Sequence, residues 1–140
     1  MDHVAWDVGV FQRHSDDDRE ERCPAEEFLS SCPDSVRNDL TSIVDAVAAA
    51  PPPRFRGGGM WEAMHGQMRG FYEARTRGPD RRLYRLFCIL EREAPGLDGP
   101  SIIVIGGLSK PNNSAFSGAD YAEIRQLGEE YRRRTPRSVV

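Results

Sequence analysis

Apolar and polar residues alternate near the start of the chain. In "HVAWDVGVF", Val4, Trp6, Val8 and Val10 occupy every second position, which is the pattern of a strand that buries one face. We therefore predict a first strand with Trp6 in the core. The stretch "RHSDDDREER" that follows is polar and acidic without apolar periodicity, so it predicts a loop.

Two helices are predicted next. "CPAEEFLSS" opens with a proline and acids, as first helical turns do, and Pro33 ends it. A longer helix runs from about Pro33 or Asp34 to Ala50, and its apolar residues form a single stripe. That stripe consists of Val36, Leu40, Ile43, Val44 and Val47. The pair should form a helical hairpin on a sheet, before "PPPRFRGGG" ends the second helix and supplies a mobile connection.

Three strand-like segments and a last helix follow. The segments are "MRGFYEAR" (68–75), "RLYRLFCILE" (82–91) and "SIIVIGGLS" (101–109). The last two are apolar on both faces, as central strands are, and the turn-rich connections favour an antiparallel meander. A helix should start near Ser117, with Asp120 completing an approximate capping box. The tail from about residue 133 should be frayed.

These elements predict one α+β domain over residues 1–140. It consists of a small, mostly antiparallel twisted sheet of about four strands, with the N-terminal helical hairpin on one face and a C-terminal helix. The length of 140 residues suits a single domain. No apolar run approaches the roughly 20 residues that cross a bilayer, and the N-terminus lacks a signal-peptide pattern. We therefore expect a cytoplasmic protein with no membrane partner.

Charge is divided unevenly along the chain. Residues 1–50 carry 12 acidic residues against 4 arginines, whereas residues 51–140 carry 10 acidic residues against 15 basic ones. A basic second half is what a phosphate-binding surface needs, although solvated arginine-rich faces are a simpler explanation. The acidic residues 15–22 raise the further hypothesis that this segment folds back and screens the basic face.

The three cysteines match no familiar zinc or redox spacing. Reduced structural thiols are the simplest interpretation, and we predict neither a metal nor a cofactor. A metal site built from Cys23, Cys32 and one histidine remains the alternative.

Arg85 stands out because it interrupts the most apolar strand. Burying a guanidinium costs several kcal/mol unless an anion meets it. On alternating geometry Arg85 shares a face with Leu83, Phe87 and Ile89, while the opposite face carries Tyr84, Leu86, Cys88 and Leu90. One face can lie under the helices while the other forms a concave floor in which Arg85 is exposed.

The order of elements and three signatures resemble the RelE/HigB superfamily of bacterial toxins, especially its phage-derived, HigB-like branch. The signatures are "WEAMHGQMRGFYEAR", "LYRLFCIL" and "IIVIGGLSKPNNSAF". Within them, "FYEAR" (71–75) is similar to a Leu-Tyr-Glu-Leu-Arg type motif. "YRLF" (84–87) is similar to the Tyr-Arg-aliphatic-aromatic strand that follows it in the family.

The resemblance implies a RelE/ParE-like toxin of a type II toxin-antitoxin system. Such an enzyme is a metal-independent endoribonuclease that cleaves messenger RNA, typically on the ribosome, and is neutralised by a co-encoded antitoxin, here expected to be a helix-turn-helix protein. The 2′-hydroxyl of the RNA attacks the adjacent phosphate. The protein supplies cations that stabilise the developing charge and groups that move protons.

Three cations carry over to the site. A guanidinium grips phosphate through two parallel hydrogen bonds, so Arg85 is assigned to the scissile phosphate. Arg75 is a second phosphate ligand or, alternatively, a sheet-stabilising partner of Glu73 or Glu91. Lys110, the only lysine of the chain, follows the last strand where relatives often have a Lys-Lys pair. Here the pair is Lys-Pro, and a solvated loop lysine is the alternative.

Proton transfer in the family uses a tyrosine or histidine near the last helix or late in the chain. Phe116 stands where a tyrosine is expected, and Tyr121 is the nearest phenol. His65 is a candidate base or, alternatively, a surface histidine. These departures favour a second reading, in which the chain is a catalytically silent RelE-fold module that sequesters a protein or RNA partner.

RNA binding is assigned to four further residues. Trp61 and Tyr72 could stack on bases beside basic residues, and core packing is the alternative for both. Arg69 and Arg77 flank the strand that carries Arg75 and would contact the RNA backbone.

Overall fold

The structure, a computed structural model, describes residues 4–50 and 59–140. The connection expected at "PPPRFRGGG" lies outside these residues except for Gly59. In chain order the elements are β1 (Asp7–Val10), α1 (Pro24–Ser31), α2 (Asp34–Ala49), β2 (Trp61–Ala63), a 3₁₀ turn (Gly66–Met68), β3 (Phe71–Arg77), β4 (Arg82–Glu91), β5 (Ser101–Pro111) and α3 (Gly118–Arg133).

The strands form one mixed sheet in the order β1-β5-β4-β3-β2. The pairs β3–β4 and β4–β5 are antiparallel, as the predicted meander requires; β2 also pairs antiparallel with β3, and β1 runs parallel to β5. Helices α1 and α2 carry the chain from β1 at one edge of the sheet to β2 at the other, and the antiparallel strands then lead back to β5 beside β1. The predicted α+β fold is confirmed, with five strands in the described residues instead of about four. Strand β2 was missed because three residues are too few to show periodicity.

The helical hairpin covers one face of the sheet. The predicted stripe of α2 is buried in full, and it packs with the side chains of Tyr84, Leu86 and Cys88 from β4. Trp6 is 8% exposed and belongs to the same cluster, as expected. The alternation of residues in β4 therefore correctly predicted which of its side chains pack under the helical hairpin.

Helix α3 covers only part of the other face. Its Ile124 and Tyr131 pack on Phe87, Ile89 and Ile103. The predicted capping box is present: the Asp120 backbone N–H donates to Ser117 Oγ at 3.1 Å, and the Ser117 N–H donates to the Asp120 carboxylate at 2.7 Å. Toward the start of β4, Leu83 and Arg85 lie on this same face and are only half-buried. The site described below begins there.

The C-terminal tail is not frayed, contrary to the expectation. Val10 and Val140 exchange two backbone hydrogen bonds of 3.1 and 2.9 Å, and Val139 bridges Phe11. Arg137 Nε donates to the Glu91 carboxylate at 3.1 Å. Strand β1 lies at the edge of the sheet with free backbone groups, and the tail satisfies part of that edge. A long-range pairing of this kind leaves no periodicity in a short tail.

The acidic segment 15–22 does not lie over the cations of the sheet. Asp17 pairs with Arg134 at 2.9 Å, just past the end of α3, and Asp18 pairs with Arg22 within the loop. Arg13, beside this segment, binds Glu130 of α3 through two bonds of 2.9 Å. The hypothesis of a screened basic face is therefore wrong for this structure, because the acids find nearer partners at the other end of α3.

The described part of the chain contains no helix with the length and apolar character needed to span a bilayer. The longest helices, α2 and α3, have 16 residues each.

Gly107 marks the closest approach of α1 to the sheet. A Cβ built at Gly107 would lie 2.1 Å from a ring atom of Phe28. We expect Gly107→Ala to destabilise the protein by about 1–3 kcal/mol, because the ring must shift out of its packed position. Urea unfolding followed by circular dichroism measures the change. Gly99→Ala, where a Cβ meets nothing within 4 Å, is the matched control. Equal unfolding midpoints for the two variants would contradict the packing described.

Candidate functional site

Strand register places the three predicted cations on one face of the sheet. Arg75 of β3 lies directly opposite Arg85 of β4. Arg85 in turn is opposite Leu108 of β5, and Lys110 is opposite Leu83, two residues further along the same face. Directly opposed residues on neighbouring strands share a face. We refer to Arg75, Arg85 and Lys110 together as the cation cluster.

Arg85 is flanked by one carboxylate and one aromatic ring. Its side chain is 17% exposed, and its Nε lies 3.8 Å from Oε2 of Glu73. The guanidinium carbon is 5.9 Å from the centre of the Phe116 ring. At 3.8 Å the ion pair is longer than a hydrogen bond, and no hydrogen bond joins the Arg85 side chain to another described residue. Its donors are therefore free to bind a ligand.

Glu73 is the buried anion of the site. It is 8% exposed and lies between two guanidinium groups, with Arg75 Nε at 3.8 Å from its Oε1. Its Oε2 atom is buried without a hydrogen-bond partner among the described residues. Burial raises the pKa of the Glu73 carboxyl, against the opposing charges of Arg85 and Arg75, while Glu62 adds to the rise. The charge of Glu73 is thus compensated at a distance and not by direct bonds.

Burial acts on Arg85 in the opposite sense. It lowers the pKa of the guanidinium, while the nearby Glu73 carboxylate opposes that fall. An arginine starts so far above neutral pH that it stays charged. Because Glu73 compensates the buried charge of Arg85 only at a distance, binding of a further anion would stabilise the guanidinium.

The side chain of Arg75 has closer partners within the protein than that of Arg85. Its Nη2 lies 3.0 Å from the carboxylate of Glu62 on β2, and its Nε donates to the Gly59 carbonyl at 2.8 Å. The structural alternative for Arg75 is thus realised, with Glu62 as the close partner and Glu73 further away. Glu91, the other candidate partner, pairs with Arg137.

Lys110 and Phe116 lie together at the end of β5. The ammonium group donates to the Ser114 carbonyl and lies 4.8 Å from the centre of the Phe116 ring. Because Phe116 also faces Arg85, one half-buried ring touches two of the three cations. From the sequence, Phe116 was of interest only because it stands where a tyrosine is expected. Its proximity to the cations depends on how the loop folds back from β5 to α3, for which the sequence carries no signal.

Tyr121 and His65 line the same hollow, of about 390 Å³, beside the site. The Tyr121 ring packs edge-on against Phe87 at 6.1 Å and lies 5.8 Å from Phe116. Burial raises the pKa of the Tyr121 phenol, with the Glu73 carboxylate adding to the rise, so at neutral pH the phenol is a hydrogen-bond donor. His65 is exposed in the loop before the 3₁₀ turn. The two proton-transfer candidates thus both lie in the lining of this hollow.

The two aromatic residues assigned to base stacking lie elsewhere. Trp61 is 6% exposed and stacks on Tyr72 with ring centres 5.5 Å apart. Both pack with the core on the side of the helical hairpin, opposite the cations. Core packing, the alternative for both, is what the structure shows. The aromatic rings beside the cations are instead Phe116 and Tyr121.

The two arginines assigned to RNA binding are separated. Arg77 is exposed at the end of β3, opposite Leu83 and hence on the face of the cation cluster. Arg69 is exposed on the connection before β3 and lies beside a second hollow that α3 lines. Two arginines of α3, Arg125 and Arg132, line that hollow too. Neither arginine was a sequence-based candidate, because positions along a helix do not show which residues lie opposite them in the fold.

No group of three histidine, cysteine or acidic residues suited to a metal is found in residues 4–50 and 59–140. The proposed partners Cys23 and Cys32 are free, as is Cys88. Burial raises the pKa of all three thiols, and most strongly that of Cys88. None of them is activated as a thiolate.

The chain matches no protein-family model and no curated protein. The geometry of the site is therefore the basis for a functional proposal. Its distinctive features are a partly exposed guanidinium with no hydrogen bond to the described part of the chain, a buried carboxylate near it, and an aromatic ring and a phenol beside it.

The buried carboxylate predicts a pH-dependent stability. Because the pKa of Glu73 is raised in the folded protein, its ionisation disfavours folding as pH rises from about 4.5, its ordinary value, through the raised pKa. Glu73→Gln removes this ionisation, so the free energy of unfolding of the variant should increase relative to wild type with rising pH. Urea unfolding of both proteins across that range measures the difference. Glu93→Gln, an exposed exchange, gives the baseline. A Glu73→Gln difference that does not grow with pH would contradict the prediction.

Proposed function

We propose that the protein is an RNA-cleaving toxin of the RelE/HigB type, a metal-independent endoribonuclease. The observation that carries the proposal is the state of Arg85, whose guanidinium is 17% exposed and forms no hydrogen bond to another described residue. Arginine is suited to phosphate because its planar fork donates two parallel hydrogen bonds. A free fork of this kind beside two other cations supports binding of a phosphodiester.

The proposed reaction needs a cation where negative charge develops. The 2′-hydroxyl of the RNA attacks the adjacent phosphorus and the bond to the 5′-oxygen breaks, which leaves a 2′,3′-cyclic phosphate and a 5′-hydroxyl. Arg85 stabilises the additional charge on the phosphorus oxygens. The ammonium of Lys110 has donors beyond the one held by Ser114 and reaches the same region past the Phe116 ring.

Proton transfer is assigned to the two groups of the neighbouring hollow. His65 accepts the proton of the 2′-hydroxyl, since an imidazole nitrogen is the side-chain group that most often acts as a general base. The Tyr121 phenol stays protonated at neutral pH because burial raises its pKa. It donates to a phosphate oxygen or to the leaving 5′-oxygen. Tyr121 thus takes the proton-transfer role that Phe116, which has no hydroxyl group, cannot perform.

The partners follow from the same proposal. The substrate is messenger RNA, engaged on the ribosome, and the protein acts in the cytoplasm. A cognate antitoxin, expected to be a helix-turn-helix protein, would neutralise it by covering the cations with acidic sequence.

A second candidate function is a silent binding module that retains the fold and sequesters a partner. One observation favours it: two of the three cations are engaged within the protein, Arg75 by Glu62 and Lys110 by Ser114. If neither is released by RNA, Arg85 alone has to stabilise the reaction.

Substitution of Arg85 tests the enzymatic proposal. Induced wild-type protein should arrest growth and cut messages, leaving 5′-hydroxyl and 2′,3′-cyclic phosphate ends that RNA end mapping detects. Arg85→Ala should abolish both effects. Removing a donor to a developing oxyanion costs on the order of 100-fold or more in rate. Arg85→Lys keeps the positive charge beside Glu73 but not the fork, so it should fold normally and lose most of the cleavage.

Arg19→Ala is the control, since Arg19 is exposed and its substitution removes the same positive charge. Wild-type protein that is harmless and leaves RNA intact would end the enzymatic proposal and favour the binding module. A large loss of thermal stability in both Arg85 variants would instead identify Arg85 as the structural partner of Glu73.

A further inference from the structure

Three arginines from two parts of the chain line one hollow beside α3. Arg69 comes from the connection before β3, and Arg125 and Arg132 come from α3. The hollow has a volume of about 190 Å³, and Gln67 and Glu129 also line it. We call it the arginine hollow. Its volume suits a compact polar group and not an extended apolar ligand.

The three side chains converge for reasons of backbone geometry. Arg125 and Arg132 are seven residues apart, so they project from the same side of α3. Arg132 reaches across to Gly70, where its Nη2 would lie 3.4 Å from an added Cβ. Gly70 follows Arg69 directly and has a φ of +99°, a conformation that favours glycine. This turn therefore sets Arg69 beside Arg132.

The small residue Gly128 brings α3 close enough to the sheet to form the hollow. A Cβ at Gly128 would lie 2.5 Å from the Phe71 ring. Both residues belong to the lining of the arginine hollow. The helix is thus held against the start of β3, and its arginines lie at the rim of a depression and not on a free convex surface.

The charges of the arginine hollow are uncompensated within the described residues. Arg69, Arg125 and Arg132 form no ion pair there, whereas Arg13, Arg22, Arg134 and Arg137 each have a carboxylate partner. Glu129 is the one acid of the lining. Three guanidinium groups without an ion-pair partner among the described residues favour a bound anion, and the guanidinium fork binds phosphate, as it binds carboxylate, through two parallel hydrogen bonds.

The arginine hollow continues the site of the proposed reaction. Gln67 and Arg125 line both this hollow and the one that contains His65 and Tyr121. From Tyr121 to Arg132 the helix advances by about 16 Å. A chain of phosphates, rather than a single phosphate, fits a cationic path of that length.

We propose that Arg69, Arg125 and Arg132 bind the backbone of single-stranded RNA on one side of the scissile phosphate, so that the RNA follows α3 from Tyr121 to Arg132. The inference rests on the proposed function and adds the direction in which the substrate lies. The contacts are to phosphates, so they give affinity without base preference.

A salt titration of binding tests the path. The probe is a 2′-O-methylated RNA of about ten nucleotides, which cannot be cleaved because its 2′-oxygen is blocked. Fluorescence anisotropy gives its affinity for the wild type and for Arg69→Ala/Arg125→Ala/Arg132→Ala. Each lost phosphate contact lowers the slope of log affinity against log salt by about 0.7. The triple variant should therefore lose about 2 from the slope and about 100-fold in affinity at roughly 0.1 M salt.

The matched control is Arg19→Ala/Arg92→Ala/Arg133→Ala, which removes three exposed arginines outside the hollow. It should keep most of the affinity and the slope. A variant with lysine at all three positions of the arginine hollow should keep the slope, since lysine still neutralises phosphate. Circular dichroism checks that each variant folds. Equal losses in the two alanine triples would overturn the proposal, because net charge alone would then explain binding.

Two further outcomes separate this inference from the proposed function. If wild-type protein cleaves RNA and the arginine-hollow triple binds the probe with an unchanged slope, the path is wrong and the enzyme stands. If wild-type protein cleaves nothing but the triple loses binding as expected, the path stands and the enzyme does not. Polyglutamate of matched charge is the competing ligand. Binding of polyglutamate but not of RNA, lost in the triple, would overturn the proposal in favour of an acidic protein partner.

Discussion

The central constraint on this molecule is the burial of opposite charges within a single face of its sheet. Glu73 and Arg85 lie on neighbouring strands, both largely removed from water, and 3.8 Å separates their nearest charged atoms. Neither could be buried alone without a cost of several kcal/mol. The separation exceeds a hydrogen bond, so the pair compensates charge without saturating the donors of Arg85. If Glu73 were hydrogen-bonded to Arg85, the donors of the guanidinium would be occupied and Arg85 would have only a structural role.

Helix α3 decides where the core ends and the site begins. It covers Phe87 and Ile89 of β4 with Ile124 and Tyr131. At Arg85 that half of the face is flanked by Phe116, which precedes α3, and by Tyr121 of its first turn. One strand therefore contributes to the core and to the candidate site with consecutive residues of the same face. Because the two share a strand, packing under α3 also fixes the position of the arginine.

Among the described residues, the acidic segment 15–22 forms its long-range ion pairs at the C-terminal end of α3. Asp17 and the residues around it pair with Arg134, and Glu130 pairs with Arg13. The same helix carries Arg125 and Arg132, which have no carboxylate partner among the described residues and line the arginine hollow. Positive charge is therefore left along the side of α3, where the proposed RNA path runs. The arginine just past the end of α3 is therefore neutralised by acids of the first half of the chain, whereas the two arginines along its side are not.

Local patterns were enough to predict the order of the elements apart from β2, the two faces of β4 and the capping box of α3. Each depends on residues within a few positions of one another, where sterics and hydrogen bonding are set by the backbone alone. Arg85 was singled out because it interrupts an apolar strand, and strand register places it on one face with Arg75 and Lys110. Only the tertiary structure decided that Glu73 lies beside Arg85, that Glu62 engages Arg75, that Trp61 is buried, that the tail closes an edge of the sheet, and that Arg69 meets two arginines of α3. These contacts join residues of different elements, and their geometry comes from strand register and helix packing, which no local pattern in the chain records.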